Sequence, residues 1–336
     1  MVTSTAGTGP EYWDHLSRGY SQVNAYSMTN PETSLTSPLR MELFTWIGRL
    51  RYILAVGLVS AGLFFTLNGH FLPTGLARPA TLAVANSFIL AAIVLTLVLL
   101  AGSYVGTLLA GPKHCYRGLT IVSLGLALWA TTRGTIDEWL KISASAGAVG
   151  PPTSGAYWPL LCEYLFLLLV MLGVAALSAL AVPLSSSPAT PMMRIRRAFA
   201  LNTDNHHRME GLLALLINIG VIGILMLVLT GPAEAWTLRG QVYFAVAVSC
   251  ALAVFISTRL VRVRHPIWFW PAPILAGILG TFIAVLNPDL LISAGYNQLN
   301  SIPAWGLVRP LPIEMVGVGV AATILSVRAT TPPKTI

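Results

Sequence analysis

Long uncharged apolar runs separated by short polar connections make up most of this 336-residue chain. A helix that crosses ~30 Å of hydrocarbon needs about 20 such residues, within a range of ~17–25. Runs at 52–72, 81–108, 159–183, 211–230, 241–260, 267–286 and 311–327 meet or approach that length. An eighth run, 118–132, is shorter and lies between Arg117 and Arg133. As a helix it rises only about 22 Å, so both arginines must extend toward the interfaces for it to cross. The pattern predicts an all-α integral membrane protein with about eight transmembrane helices.

The basic residues test that assignment. The chain holds 20 Lys and Arg. With eight crossings, Arg78, Arg133, Lys141, Arg239 and Arg309 fall on one side and all the others on the opposite side. Loops on the inner side of a membrane are enriched in these residues. The majority side is therefore expected to be the inner one, with both termini there, in a bacterial-type plasma membrane or an equivalent inner membrane. Leaving out the short run would move Arg194, Arg196 and Arg197 to the outer side, so the charge pattern favours keeping it. Aromatic residues are expected at the interfaces: Trp46, Tyr52, Tyr104, Trp268 and Trp270 on the inner side, Trp129, Trp158, Trp236 and Trp305 on the outer.

Composition narrows the class further. Only 10% of residues are charged against 55% hydrophobic, whereas soluble domains carry about 25% charged residues. Mean hydropathy is +0.73. The net charge of +8 sits in short clusters between apolar runs and forms no basic stripe, which argues against a nucleic-acid partner. Cys115, Cys162 and Cys250 are too far apart for a disulfide framework or a paired metal motif. The first apolar run begins near Tyr52, beyond the usual window of a cleaved leader, so the first helix is expected to remain in the mature protein.

Residues 1–40 form a polar inner-side tail. It is read either as flexible or as a segment that orders against a partner through Tyr12, Trp13, Tyr20 and Tyr26. Three short matches relate the two halves of the remaining chain. His114 and His265 each precede a run; 142–144 and 292–294 both read Ile-Ser-Ala; Pro159 and Glu163 are matched by Pro310 and Glu314. The near-constant offset suggests two tandem four-helix membrane units, 41–183 and 184–328, related by a pseudo-twofold along the membrane normal, with a short inner-side tail at 329–336. The alternative is coincidence within a biased composition.

Glu163 and Glu314 are the only acidic residues within the apolar runs, and an ionisable group inside a membrane is a functional candidate. Each lies four residues past a proline expected to start its helix. The pair therefore reads either as interfacial carboxylates that stabilise helix starts or as a symmetric site for a cation, a proton or a quinone head group. His114, His265, Arg194, Arg196 and Arg197 are candidates for contacts with head groups or a partner. Asp204, His206, His207 and Glu210 cluster before the fifth long run, yet adjacent histidines point different ways on a helix, and no metal site is expected. Asp137-Glu138 reads as a solvated pair in a loop. No histidine lies in mid-span, which argues against haem. Gly57-x-x-x-Ala61, Gly277-x-x-Gly280 and Gly317-x-Gly319 are expected to let helices approach closely.

HExxH, GxSxG, a P-loop and GxGxxG are all absent, so enzymatic activity has no positive support. Mid-span stretches are apolar apart from Asn86 and Asn218. The first expectation is therefore a non-catalytic subunit of a larger membrane complex, of an energy-transducing kind, with a lipid or quinone held between helices and with membrane lipids and protein subunits as partners. Quinol-handling anchor subunits share the idea of two four-helix bundles, as an analogy of architecture only. A transporter or channel using Glu163 and Glu314 is the alternative, and a lipid-modifying membrane enzyme ranks third.

Overall fold

The computed structural model describes residues 38–68, 78–85, 87–110, 116–145, 154–181, 190–199, 205–230, 238–263, 265–287 and 306–330. The tail aromatics, His114, Cys115, Asn86, Trp236, Trp305 and 292–294 lie outside them. Arg49–Ile336 forms one compact unit and Met1–Gly48 another. The packing contacts are those within the former.

The described residues are helical apart from turns and one isolated bridge between Pro79 and Gly134. In chain order the ten helices are α1 (Pro38–Leu67), α2 (Phe88–Leu109), α3 (Arg117–Ala130), α4 (Ile136–Ser145), α5 (Ser154–Ala181), α6 (Pro191–Ala198), α7 (Asn205–Thr230), α8 (Arg239–Leu260), α9 (Ala272–Leu286) and α10 (Pro312–Thr330). Among the described residues seven helices are long and apolar enough to cross a membrane: α1 from Trp46, α2, α5, α7, α8, α9 with the turn from Pro266, and α10. The eighth expected span is the exception. α3 has 14 residues, a rise of about 21 Å.

Its neighbours explain how so short a helix fits an apolar bundle. Eleven of the fourteen residues are buried by protein, so α3 does not have to match a hydrocarbon thickness along its own length. Gly118, at its start, lies against Ser103 and Thr107 near the end of α2 and Ser178 near the end of α5. At its other end Tyr243 of α8 donates to the Ala127 carbonyl (3.3 Å), Arg239 donates to the Thr131 carbonyl (2.7 Å) and Arg133 donates to Asn68 just past α1. α3 therefore runs from one end of the bundle to the other.

Around it, α10 packs on α3 and α8, α9 packs on α5 and α7, and α2 packs on both α3 and α5. With few charges to pair and no water to expel, helices in such a bundle hold together by close packing. Gly317 is one place where it is required. A Cβ there would sit 2.7 Å from the backbone nitrogen of Ala127 and 3.0 Å from its Cα. Gly57 is a correction to the sequence expectation: nothing lies within 4 Å of its Cβ position. Trp129 and Trp270 also depart from expectation, since both are buried in the core, while Trp46 and Trp158 are exposed.

The two glycines make a paired prediction. Gly317→Leu must displace main chain and is expected to lower stability by about 1–3 kcal/mol. Gly57→Leu is expected to leave it unchanged. Thermal denaturation of the detergent-solubilised protein compares them directly.

Candidate functional site

At one end of the bundle, an apolar interior contains a group of ionisable side chains. Glu163 is the first. α5 begins at Ser154, and Pro159 lies inside it, so the expectation that proline starts this helix is wrong. The chain is already helical more than a turn earlier, so proline's missing N–H costs the helix one bond, to the Gly155 carbonyl. Glu163 consequently sits in the third turn, with 0% exposure. Its Oε2 accepts from the Thr81 hydroxyl and from the Leu82 N–H (3.1 Å). The side chain thus caps the short 3-10 turn Leu82–Val84 ahead of α2. Oε1 is buried with no hydrogen-bond partner.

At Glu314 the expected starter also fails, because the helix begins at Pro312 and Pro310 lies before it. Leu311 precedes the helix and Pro312 occupies its first position, where fixed φ and a missing N–H suit a helix start. The Glu314 Oε2 reaches back to accept from the Leu311 N–H (3.0 Å). That is half of a capping box, since Leu311 has no side-chain oxygen to return the bond. Oε1 lies 3.6 Å from Nε of Arg239, the first residue of α8. Glu314 is 1% exposed, so both carboxyls are enclosed by protein while each holds a backbone N–H at the start of a helical segment. Directly after Glu314, Met315–Gly319 makes a π turn, a widening of the helix that needs side chains or packing to support it.

Tyr164 connects the two. Its hydroxyl donates to the Pro310 carbonyl (3.4 Å), and its phenol lies within electrostatic reach of both glutamates. Gly277 of α9 provides the room, because a Cβ there would meet the Tyr164 ring.

Three arginines complete this end. Arg309 is 2% exposed and donates to the Thr230 carbonyl at the end of α7 (2.5 Å). Arg133 bonds Asn68 after α1, with its guanidinium carbon 5.4 Å from the Trp129 ring centre. Each thus places a cation beside the C-terminal end of a helix, where the exposed carbonyls favour one. Burial pulls the Arg309 guanidinium below its ordinary value, and nearby Asp137 opposes that shift. Burial, and then Arg78, act on Arg133 in the same downward direction. Both remain cations.

Asp137 and Glu138 depart from their solvated reading. Asp137 is buried, and Glu138 Oε2 accepts from the Thr135 N–H and hydroxyl (both 2.6 Å), starting α4. α4 is tied down by the Trp139 indole, which donates to the Ala156 carbonyl (2.9 Å).

The remaining candidates lie elsewhere. His265 is at the opposite end, its ring 6.0 Å from that of Tyr116 at the start of α3, so it joins neither glutamate. Arg194, Arg196 and Arg197 fall on α6, with Arg196 exposed. His207 Nδ1 lies 3.4 Å from Glu210 on an exposed face. Asn218 is buried and donates to the Ala214 carbonyl (2.8 Å), one turn back in its own helix. Among the described residues no group of three or more His, Cys, Asp and Glu could hold a metal ion. The sequence reading missed Thr81, Tyr164, Arg239 and Arg309. The one signal that pointed to the arginines was their minority position in the charge count.

Removing one partner of the Arg239–Glu314 pair leaves a charge in a buried place. Arg239→Gln is expected to lower stability by about 2 kcal/mol, between the values for exposed and fully buried pairs. Adding Glu314→Gln is expected to recover much of the loss. A double-mutant cycle in denaturation midpoints measures the coupling.

No protein-family model, curated protein or solved structure matches this chain, so the geometry of the bundle itself carries the reading of the site.

Proposed function

We propose that the chain is an integral membrane protein that handles protons or a small cation at the paired carboxyl groups of Glu163 and Glu314. The observation that carries this reading is the enclosure of both carboxyls, at 0% and 1% exposure, in one end of an apolar bundle, both within electrostatic reach of the Tyr164 phenol. Close packing alone can hold such a bundle together. An acidic group inside it costs several kcal/mol unless it is partnered or neutral, so its presence calls for a use. Proton or cation exchange uses that property directly.

In this proposal the chain crosses the membrane eight times, with α3 as the protein-sheathed third crossing and both termini on the inner side. The course of α3 from one end of the bundle to the other supports the count, because it keeps the alternation that gathers most Lys and Arg on one side. The glutamates then face the outer half of a bacterial-type plasma membrane or its equivalent. The packing also supports a tandem arrangement of four plus four. Exchanging α1, α2, α3 and α5 for α7, α8, α9 and α10 turns the α2–α5 contact into α8–α10 and the α3–α10 contact into α9–α5, and these occur, whereas α7–α8, α2–α3 and α7–α9 have no comparable counterpart among the described residues, so the support is partial.

A second reading, the non-catalytic subunit of a larger membrane complex with a lipid or quinone site, draws on one observation. Gly57 of α1 and Gly220 of α7 have nothing within 4 Å of their Cβ positions. Open glycines on outward faces suit close approach by another helix. A head group would reach either glutamate only after helices part.

Purified protein in liposomes with an internal pH dye separates the readings. Under an imposed proton or sodium gradient, wild-type vesicles are expected to equilibrate faster than empty ones, and Glu163→Gln vesicles at the empty rate. Equal rates for wild-type and empty vesicles, with other subunits co-purifying in stoichiometric amounts from native membranes, would favour the second reading.

A further inference from the structure

The two acidic sites sit in matching frames. Gly155, Pro159, Leu160 and Glu163 recur at identical spacing as Gly306, Pro310, Leu311 and Glu314. Each glutamate stands near the start of the last long helix of its half and reaches the approach to the second: Thr81 and Leu82 ahead of α2, Arg239 opening α8. The frames agree, but the chemistry placed in them differs.

At Glu314 the frame holds a cation. One oxygen takes a backbone N–H; the other has no hydrogen bond but lies 3.6 Å from Nε of Arg239, an ion-pair distance, and that guanidinium is itself anchored on the Thr131 carbonyl. A charged carboxylate has somewhere to put its charge there. At Glu163 the frame holds only neutral donors, and both are on Oε2. Oε1 is enclosed without a hydrogen-bond partner, and among the described residues no Lys, Arg or His pairs with it. An ionised Glu163 would leave half its charge on an unsolvated oxygen. A neutral acid fits without strain: Oε2 is the carbonyl oxygen, whose two lone pairs accept the two donors, and Oε1 carries the proton.

We infer that the pair is unequal: Glu163 is the group that takes up and releases a proton, while Glu314 is held as a carboxylate by Arg239 and fixes the start of α10. This deepens the proton reading proposed above by naming the ion as H+ and assigning it to one of the two carboxyls. Release of the proton leaves a carboxylate on Glu163 that needs water or a donor at Oε1, so exchange requires the bundle to open at the Glu163 end.

Infrared difference spectroscopy on the whole purified protein tests this without depending on transport. Subtracting Glu163→Gln from wild type is expected to reveal the C=O stretch of a protonated carboxyl at neutral pH, moving to lower frequency in D2O. Subtracting Glu314→Gln is expected to reveal carboxylate bands instead, and in an Arg239→Gln background to reveal a protonated carboxyl. Glu163→Asp, which keeps an acid at the position, is expected to retain the protonated band if it folds. Carboxylate bands from Glu163, a protonated band that does not respond to D2O, or a protonated Glu314 in the presence of Arg239 would each overturn the inference. Flux in liposomes with an ionised Glu163 would overturn it alone. A protonated, exchanging Glu163 in a protein without flux would instead count against the transport reading.

Discussion

A polar group inside an apolar bundle has to find its partner within the protein, because neither lipid nor a packed leucine can serve. That constraint organises one end of this molecule. Thr81 and the Leu82 amide serve Glu163, the Leu311 amide and Arg239 serve Glu314, and helix-terminal carbonyls serve Arg309 and Arg239. Each of these bonds joins segments far apart in sequence except the one from Leu311. They fix which helices neighbour one another where the apolar packing between them is nonspecific.

The same constraint accounts for basic residues that run against the charge bias of the chain. Arg133, Arg239 and Arg309 belong to the minority of five and are bound into the bundle through Asn68, Thr131, Thr230 and Glu314. A guanidinium at a helix C-terminus offsets the carbonyls left without partners there. Positive residues placed for topology stay in loops, whereas these hold helix ends in place. Oε1 of Glu163 differs from Oε1 of Glu314 in one respect: neither has a hydrogen-bond partner, but only the latter lies within ion-pair distance of a guanidinium.

In the proposed eight-crossing arrangement, burial of α3 by protein relaxes the length requirement on it. A helix facing lipid must satisfy the thickness of the hydrocarbon along its whole surface. One enclosed by α2, α5 and α10 meets side chains and backbone instead, and can end early on Arg133 without exposing a cation to lipid. The small residues at Gly118 and Gly317 bring the enclosing helices close enough to seal it.

The sequence by itself determined the helical membrane class, the seven long helices though not all of their starts, and the two glutamates as candidates, because apolar run length and an isolated acidic residue are local signals. Even its error over Pro159 was local: a proline was taken to start a helix that begins more than a turn earlier. What surrounds each carboxyl was decided only by tertiary structure. Thr81 lies 82 residues before Glu163 and Arg239 lies 75 before Glu314, and nothing in a hydropathy pattern says which helix ends will meet. The burial of Trp129, Trp270 and Asp137 and the open face at Gly57 belong to the same category. An apolar helix surface reads alike whether it faces lipid or protein, and only packing distinguishes the two.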